Sequence, residues 1–573
     1  MRILRLLYKY AKGYRTASIL LPIAVLVQTG MEVWIPYLMG EMLDQGIYAG
    51  DQAVIRRTGL LMLLAAGVMT AAGILVSYSI SVWSSGVTRN IRDALFVRVQ
   101  ELAFSDTDRF GTASVLTRMS TDVQYVKRTL IMFNSLIRSP VMIIFTITVT
   151  LRSYRSVAGV FIIAAACLIA VSAIIVYFSI RHYRRMFIHY DEMNGMLEEN
   201  ITAQKTVRAF ARGEQESGRF GGVISALFME NRRAERLTVL NEPLLELVIN
   251  GSILALILIT GTKIVGGTML AGDFFCLISY ADQILLQISI LAMIMVPMLS
   301  AKVSIERILE VMDTEPAIKD GEGLCGRPAD GSVSFRNVSM SYFEGKDVLQ
   351  DLDIEIRAGE FTGIIGSSGS GKTSMIDLIP RFYDCRKGSV CVGGRDVREY
   401  ALKDLRGHIG LVPQKSLLFS GTIADNLRWG NEDASAEDIV KACTAAGAND
   451  FIMGFPDGYD TVISQGGSTV SGGQRQRLCI ARALIRKPEI LILDDSLSAV
   501  DNTTEGHILD ALDELRGRTT VIMVSQRFTS VMKADRIIVL DEGRIEAEGK
   551  HEELLESSRV YREIYETQRR TMA

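Results

Sequence analysis

The feature that most constrains this fold is a run of 22 uncharged residues, "VAGVFIIAAACLIAVSAIIVYF", at 157–178. A helix that crosses a bilayer needs roughly 20 mostly apolar residues, and this run meets that length without interruption. Five further windows meet the same criterion. The six predicted spans lie at about residues 16–39, 58–83, 131–151, 157–178, 243–267 and 272–300. The sequence therefore predicts an all-α, six-span domain in a lipid bilayer.

The Lys and Arg residues of the predicted loops indicate the orientation of these spans. The leader 1–15 carries 5 of them, segment 84–130 carries 7 and segment 179–242 carries 10, whereas the loops on the other side carry 4. Basic loops remain on the cytoplasmic side. We therefore expect a multi-pass plasma-membrane protein whose termini are cytoplasmic. The two long segments mix charged and apolar residues at helical spacing, which predicts long cytoplasmic extensions of the spans.

The charge balance changes after the last span. Residues 1–310 carry a net charge of +7, and residues 311–573 carry −10. Segment 311–331 is rich in Gly, Pro and acidic residues and is the predicted linker, followed by a soluble domain at 332–573. No nucleic-acid partner is expected. Seven scattered cysteines without a CxxC pair argue against a disulfide framework or a zinc site.

The soluble part contains a phosphate-binding motif. "GSSGSGKT" at 366–373 fits Gly-x4-Gly-Lys-Ser/Thr and follows the apolar run "FTGII". Glycines let backbone N–H groups point at phosphates, Lys372 adds a cation, and the Thr373 hydroxyl suits Mg²⁺. Asp494 ends the apolar strand "ILIL" and would complete the metal site. ATP and Mg²⁺ are the predicted cofactors. The predicted ATP contacts in the loop are Gly366, Ser367, Ser368, Gly369, Ser370, Gly371, Lys372, Thr373 and Ser374.

A second motif, "VSGGQ" at 470–474, resembles the signature of the ATP-binding cassette (ABC) transporter superfamily. In that family the signature closes over the nucleotide of the opposite cassette. The resemblance implies that Tyr342 stacks on adenine, that Gln414 serves the nucleotide and the metal, and that Asp501 ends the D-loop. The signature residues that it assigns to ATP binding are Val470, Ser471, Gly472, Gly473 and Gln474.

The resemblance extends over nearly the whole chain. Six spans ahead of one cassette resemble an exporter half-transporter, which implies an α/β P-loop cassette after the all-α membrane domain. "FSDTDRFGTASVLTRMSTDV" and "ENITAQKTVRAFARGEQE" look like the regions that carry its coupling helices. The family implies two such halves, with two ATP molecules between the cassettes. ATP-driven closure would then open the cavity outward, and hydrolysis would reset it.

Two residues depart from the family pattern at the expected catalytic site. Asp495 stands where the family normally has the glutamate that aligns or deprotonates water, and its side chain is shorter by one C–C bond, roughly 1.5 Å. Gln526 stands at the position of the switch histidine. These departures resemble the degenerate subunit of a heterodimeric exporter. Two alternatives are a slow homodimeric exporter and a non-hydrolysing regulatory or structural subunit. In the segment before the signature, Gln465 stands where many exporters carry glutamate. The part of this segment in coupling therefore stays open.

Polar residues inside the predicted spans bear on the cargo. Such residues usually face a cavity or pair inside the bundle, and both alternatives stay open here. They are Glu32, Arg138, Glu246, Asp282, Gln283 and Gln287. Met293, Met295 and Met298 suit varied ligands but equally fill cores. At the level of the family, the expected cargo is an amphiphilic small molecule, drug or lipid.

Overall fold

The computed structural model describes residues 8–154, 157–320, 326–342, 345 and 347–572, which form two compact units. The first unit comprises the described residues up to Gln100 together with Gly111–Thr314. The second comprises Glu101–Phe110 and the described residues from Glu315 onwards. Parts of the leader (1–7) and of the predicted linker (321–325) lie outside the described residues.

The first unit is helical throughout. Its helices are α1 (Arg15–Glu41), α2 (Gln52–Glu101), α4 (Thr112–Thr117), α5 (Val123–Ser153), α6 (Ala158–Thr202), α7 (Gln204–Ala209), α8 (Gly213–Val239), α9 (Asn241–Val265) and α10 (Ala271–Asp313). Short helix α3 (Phe104–Phe110) belongs to the second unit. The last residue of α2, Glu101, also belongs to the second unit.

Six helical stretches in the described part of the chain are long and apolar enough to cross a membrane. They are Arg15–Tyr48, Gln52–Glu101, Thr112–Ser153, Ala158–Thr202, Gly213–Val265 and Ala271–Ile294. The prediction of six apolar helices is thereby confirmed. Helices α2 and α6 continue far beyond their apolar parts, to Glu101 and Thr202, as the charged segments predicted. Helix α10 also continues to Asp313, so it includes the first residues of the segment predicted as a linker.

Helix α10 is the centre of the membrane unit. It packs against α1, α5, α6 and α9. Leu277 and Tyr280 of this helix are fully buried, and the Tyr280 hydroxyl donates to the Val33 carbonyl of α1 at 3.0 Å. The apolar faces that stay exposed on this unit suit lipid or a second subunit, since an apolar helix surface that faces acyl chains costs nothing to expose.

Near its C-terminal end, α10 is joined through a buried aspartate to the turn that precedes α5. The turn Arg118–Asp122 is π-helical, and Asp122 is fully buried. The Asp122 carboxylate accepts hydrogen bonds from Ser304 at 2.8 Å and from Arg307 at 2.6 Å. Arg118 forms an ion pair with Glu310 at 2.9 Å. These pairs join the turn before α5 to about the last three turns of α10, so the two segments are held together.

The second unit is an α/β domain with three sheets. Its strands are β1 (Val333–Met340), β2 (Leu349–Ile356), β3 (Phe361–Ile365), β4 (Lys387–Val392), β5 (Arg395–Asp396), β6 (Ile409–Val412), β7 (Gly421–Thr422), β8 (Val462–Ile463), β9 (Ile490–Asp494), β10 (Thr520–Val524), β11 (Arg536–Asp541) and β12 (Arg544–Gly549). The main sheet has the order β12-β11-β3-β10-β9-β6, and an antiparallel sheet has the order β2-β1-β4-β5. Strands β7 and β8 pair separately.

Helices surround these sheets. They are α11 (Lys372–Asp377), α12 (Leu402–Gly407), α13 (Ile423–Arg428), α14 (Ala436–Ala445), α15 (Asn449–Met453), α16 (Gly472–Ile485), α17 (Asn502–Asp513), α18 (Phe528–Val531), α19 (His551–Ser557) and α20 (Arg559–Met572). Helix α3 packs here too: the ring centroids of Phe104 and Phe382 are 4.8 Å apart, and the Tyr383 hydroxyl donates to Asp108 at 2.8 Å.

The register of the main sheet positions the site. Strands β3, β9 and β10 are mostly apolar, buried along their whole length and parallel. Val524 of β10 pairs with Ile364 of β3 and with Asp494 of β9, so the three strands end at the same level. Ligands of open α/β sheets bind outside the carboxyl ends of such strands. The loops that follow these strands carry the residues predicted for the nucleotide.

Candidate active site

A cavity of about 240 Å³ lies at the carboxyl ends of β3, β9 and β10. It brings together the phosphate-loop residues with Gln414, Asp494, Asp495 and Gln526, which are far apart in sequence. The complete lining is Val348, Ser368, Gly369, Gly371, Lys372, Thr373, Ser374, Gln414, Asp494, Asp495, Val524 and Gln526. The structure therefore assembles in one place the core of the phosphate loop and the three residues predicted for the metal, Thr373, Gln414 and Asp494.

The loop 366–371 is shaped by close backbone approaches. A Cβ on Gly366 would lie 2.0 Å from the Leu540 carbonyl oxygen, so only glycine fits there. Gly371 has φ +99°, in the left-handed region that favours glycine. The loop then enters α11 at Lys372, so the helix N-terminus opens onto the cavity.

Lys372 is buried under its own loop. Its ammonium donates to the carbonyls of Gly366 at 3.0 Å and Ser367 at 2.6 Å, and to the Ser370 hydroxyl at 3.2 Å. Burial lowers the pKa of this amine, and the charges of Asp494 and Asp495 partly offset that effect. A cation that lines the cavity within the glycine-rich loop is well placed to receive phosphate oxygens.

Asp494 and Thr373 form the part of the site that suits a metal. The Thr373 hydroxyl donates to Asp494 Oδ2 at 3.0 Å, and Asp494 is buried. Burial raises the pKa of the Asp494 carboxyl, and the Thr373 hydrogen bond acts in the opposite direction. A hydroxyl, a carboxylate and the Gln414 amide oxygen line one cavity. Oxygen donors of these kinds fit Mg²⁺, which keeps several waters and takes its other ligands from substrate phosphates.

Asp495 has an unusual backbone conformation for a residue with a side chain. Its φ is +45°, and its N–H donates to the Val524 carbonyl at 2.9 Å. Burial raises the pKa of its carboxyl; hydrogen bonds to the Gln526 backbone and the Gln414 side chain lower it in part. The short carboxylate is thus engaged by neighbours on the rim of the cavity.

The loop that carries Gln526 is fixed from the C-terminal helix α20. Gln568 of α20 donates to the Gln526 carbonyl at 2.6 Å and accepts from the Phe528 N–H at 3.0 Å. Arg527 contacts Glu505 at 3.3 Å and donates to the Ser498 carbonyl at 3.0 Å. Sequence reasoning did not find Gln568, because a lone glutamine 42 residues downstream carries no signal of this contact.

Tyr342 and Asp377 flank the cavity without lining it. The Tyr342 hydroxyl pairs with the Ser374 hydroxyl at 2.8 Å, and its ring meets Tyr383 edge-on at 5.0 Å. Burial, with the charge of Asp494, raises the pKa of Asp377 to about 6. Sequence reasoning did not single out Asp377; its place four residues after Thr373 on one helix face was the available signal.

Comparisons with known proteins agree with this geometry. The family model for "ABC transporter" matches residues 349–498, and the model for "ABC transporter transmembrane region" matches residues 18–288. An uncharacterized ABC transporter ATP-binding protein of Mycobacterium tuberculosis is 34% identical over 99% of this chain and 98% of its own length. This chain belongs to the ABC transporter family.

Further relatives of this ABC transporter share its full length. The ABC transporter ATP-binding protein YfiB of Bacillus subtilis is 33% identical, over 98% of this chain and 97% of its own. An ATP-dependent lipid A-core flippase of Chromobacterium violaceum is 30% identical, over 99% of this chain and 97% of its own length. A solved bacterial Atm1-family ABC exporter with ATP bound has a TM-score of 0.81 at 23% identity, covering 97% of this chain and 98% of that one. The chain thus has the exporter half-transporter fold, with membrane region and ATP-binding cassette in one polypeptide.

The signature of this ABC transporter lies outside the 240 Å³ cavity. Ser471 caps helix α16: its N–H donates to Gln474 at 2.9 Å, and its hydroxyl accepts from the Gln474 N–H at 3.3 Å. A Cβ on Gly473 would lie 2.7 Å from the Ala499 carbonyl oxygen. The remaining signature residues flank this cap: Val470 is buried before it, and Gly472 begins the helix.

The D-loop is tied to the signature helix. Gln476 of α16 accepts from the Ala499 N–H at 3.0 Å and donates to the Ser498 hydroxyl at 3.3 Å. Asp501 caps α17 by accepting from the Thr504 N–H at 2.9 Å, and this bond holds the pKa of its carboxyl below the usual range. Gln465 is exposed ahead of the signature.

Four of the six polar residues predicted inside the spans are paired. Arg138 donates to both Glu32 oxygens, at 2.7 and 2.9 Å, and Gln283 donates to the Glu32 carbonyl at 3.2 Å. Ser139 donates to Gln287 at 2.8 Å. By contrast Glu246 and Asp282 are exposed on the unit. Met293 is exposed and Met298 partly buried, and the Met295 side chain lies outside the described part.

Proposed function

We propose that this chain is one half of a heterodimeric exporter whose own ATP site binds nucleotide but hydrolyses it weakly. The observation that carries the proposal is the content of the 240 Å³ cavity. Lys372, Thr373 and Asp494, which serve binding, are all present there. Asp495 and Gln526, which stand at the positions of the base and the switch, are both altered. Binding and hydrolysis depend on different atoms, so one can persist without the other.

The chemistry of the two altered positions supports a weak site. A general base must come within roughly 2.6–3.2 Å of the proton that it takes, and the aspartate is about 1.5 Å too short for the place of a glutamate carboxylate. Asp495 is also hydrogen-bonded to the Gln526 backbone and the Gln414 side chain. A neutral glutamine cannot carry the positive charge of an imidazolium.

The chain's own residues would divide the work as follows. Lys372 and the loop N–H groups would hold the phosphates, and Thr373, Asp494 and Gln414 would hold Mg²⁺, which neutralises phosphate charge when bound. Tyr342 would stack on adenine. Asp495 would orient water poorly, so ATP would act mainly as a clamp between the two cassettes.

An unaltered signature beside an altered base supports a partner. The Ser471 cap is complete, and α16 is joined to the D-loop through Gln476. In the head-to-tail arrangement of the family, this signature would complete the ATP site of the second half-transporter. We expect that partner to carry Glu and His at the positions of Asp495 and Gln526, and to supply most of the turnover.

The proposed cargo is an amphiphilic small molecule, drug or lipid moved across the plasma membrane, with the cassette cytoplasmic. The lipid A-core flippase among the relatives supports a lipid-like cargo. Exposure of Asp282 adds a physical reason for a polar passage, because a carboxylate about ten residues into a span is costly against lipid. Such a group is expected to face water, cargo or the partner.

The test restores the two altered positions. Asp495→Glu combined with Gln526→His should raise hydrolysis at this chain's own site by roughly 10²–10⁴-fold, the range of general-base help. The total ATPase rate of the purified complex should then about double, because the partner's site already supplies most of the turnover. Asp495→Asn is the matched control and should change the rate only modestly. Loss of all turnover with Asp495→Asn would contradict a weak site, and a fast ATPase formed by this chain alone would favour a homodimer. A complex that binds ATP but hydrolyses none, even after restoration, would favour a regulatory subunit.

A further inference from the structure

A second cavity, of about 220 Å³, lies between α2 and α5 in the membrane unit. We call it the basic pocket. Its lining is almost wholly polar and includes Ser85, Thr88, Arg89 and Arg92 from α2, and Gln124 and Lys127 from α5. None of these residues belongs to the nucleotide site, and the proposed ATP chemistry makes no use of them.

The basic pocket carries uncompensated positive charge. Arg89 is paired with Asp93, also in the lining, at 3.7 Å, and both side chains are exposed. Arg92 and Lys127 are partly buried, and neither has an ion-pair partner among the residues that the structure describes. Two unpaired cations that face one cavity from two helices leave it with a net charge of about +2.

The depth of the pocket follows from the helix geometry. Arg92 lies nine residues after the predicted end of its span at 83, and Lys127 lies four residues before the predicted start at 131. At 1.5 Å per residue these positions are about 14 Å and 6 Å beyond the hydrocarbon core. Side chains of a helix tilt toward its N-terminus, so Arg92 tilts back toward the membrane and Lys127 tilts away from it. The two cations therefore converge close to the headgroup layer.

The leader gives an independent indication of the same depth. The Asn90 amide of α2 donates to the Tyr10 carbonyl at 2.8 Å and the Lys12 carbonyl at 3.1 Å. The Tyr14 ring fills the space beside Gly86, where a Cβ would lie 2.3 Å from it. Tyrosine and lysine side chains together are typical of membrane–water interfaces. This stretch of α2 thus lies against an interfacial segment.

We infer that the basic pocket binds the phosphate headgroup of an anionic lipid of the cytoplasmic leaflet. The inference rests on the proposed function for the orientation of the spans. A guanidinium suits phosphate oxygens through paired N–H donors, a lysine ammonium adds a point charge, and basic pockets between spans on this side are suited to anionic headgroups. The Ser85 and Gln124 side chains give the pocket further polar groups beside the cations, whereas the buried Thr88 hydroxyl donates to the Ser84 carbonyl at 2.6 Å.

The experiment compares lipid binding to the full-length protein in nanodiscs that contain equal amounts of phosphatidylglycerol and phosphatidylcholine. Lipids retained after transfer to detergent are counted by native mass spectrometry, without nucleotide. The wild-type protein should retain phosphatidylglycerol preferentially. In the double variant Arg92→Gln/Lys127→Gln, the preference for phosphatidylglycerol over phosphatidylcholine should fall roughly 30-fold, about fivefold per cation. The double variant Arg92→Lys/Lys127→Arg keeps both positive charges and should keep most of the preference for phosphatidylglycerol.

Arg128→Gln is the matched control for the single variant Lys127→Gln, whose expected loss is about fivefold. It removes one positive charge at the neighbouring position, which is exposed and outside the pocket. An equal loss with this control would overturn the inference, since the effect would then come from the general basicity of the region. Radiolabelled inorganic phosphate, added to delipidated protein, tests the other source of this chemistry. Pocket-dependent phosphate binding without any phosphatidylglycerol preference would overturn the lipid assignment. Because lipid binding is measured without nucleotide, failure of ATP-driven export, assayed separately with ATP in sealed vesicles, would count against the proposed function alone.

Discussion

Asp377 gives a prediction whose size and sign follow from its position in the cassette. It ends α11, four residues after Thr373, in a mostly buried site near Asp494. Burial and the neighbouring charge of Asp494 both disfavour its ionised form, and they raise its pKa from 3.8 to about 6. Asp377→Asn keeps the shape of the side chain and removes the titration.

The sign follows from proton linkage. The folded cassette binds this proton more tightly than the unfolded chain, so the free energy of unfolding falls as the pH rises from about 4 to about 6. The full difference between the two pKa values is worth about 3 kcal/mol. Because the side chain keeps some solvent contact, we reduce this to about 2 kcal/mol. Above pH 6 the Asn variant should therefore be more stable by about that amount, and below pH 4 the two proteins should be equal.

The assay is thermal unfolding of the full-length protein in detergent, without nucleotide, followed by cassette tryptophan fluorescence between pH 5 and 8. For a domain of this size, about 2 kcal/mol corresponds to a rise in Tm of about 4–8 °C at pH 7.5. The control is Asp433→Asn, which removes an exposed carboxylate of the same cassette. A lower Tm for Asp377→Asn at pH 7.5, or a gain that stays the same down to pH 5, would refute the reasoning.

Three further outcomes are expected. Lys372→Ala should weaken ATP binding at this chain's own site by about tenfold or more, measured by nucleotide titration of the pure complex; unchanged affinity there would contradict the phosphate-loop assignment. Asp122→Ala should lower the free energy of unfolding of the membrane unit by about 2 kcal/mol in a detergent melt, since the buried Ser304 hydroxyl and Arg307 lose their acceptor; no change would show that the pair adds nothing to stability. A cysteine at Ala329, in a background without other cysteines, should resist membrane-impermeant reagents in intact cells, and ready labelling would overturn the cytoplasmic orientation.

Much of this architecture could be predicted from local patterns. An uncharged run such as 157–178 has few stable environments other than a bilayer, so the number of spans followed from composition and length alone. The phosphate loop could also be predicted, because its Gly-x4-Gly-Lys-Thr spacing lies within residues 366–373 and Gly371 meets a local backbone demand, a φ of +99°. Asp494 was readable because it directly follows a continuous apolar strand. In each case the physical constraint is local, and the sequence shows it directly.

The tertiary structure decided what depends on residues that are distant in sequence. Gln568 holds the Gln526 loop from 42 residues away, and the Glu32–Arg138 pair joins residues 106 positions apart. Asp377 acquires its raised pKa from burial and from Asp494, neither of which its neighbours in sequence encode. Composition predicted a basic cytoplasmic face, but only the packing of α2 beside α5 brought Arg92 and Lys127 to one cavity. Local chemistry thus determined the elements and the motifs, and the fold determined which of their side chains meet, because burial and charge act through space.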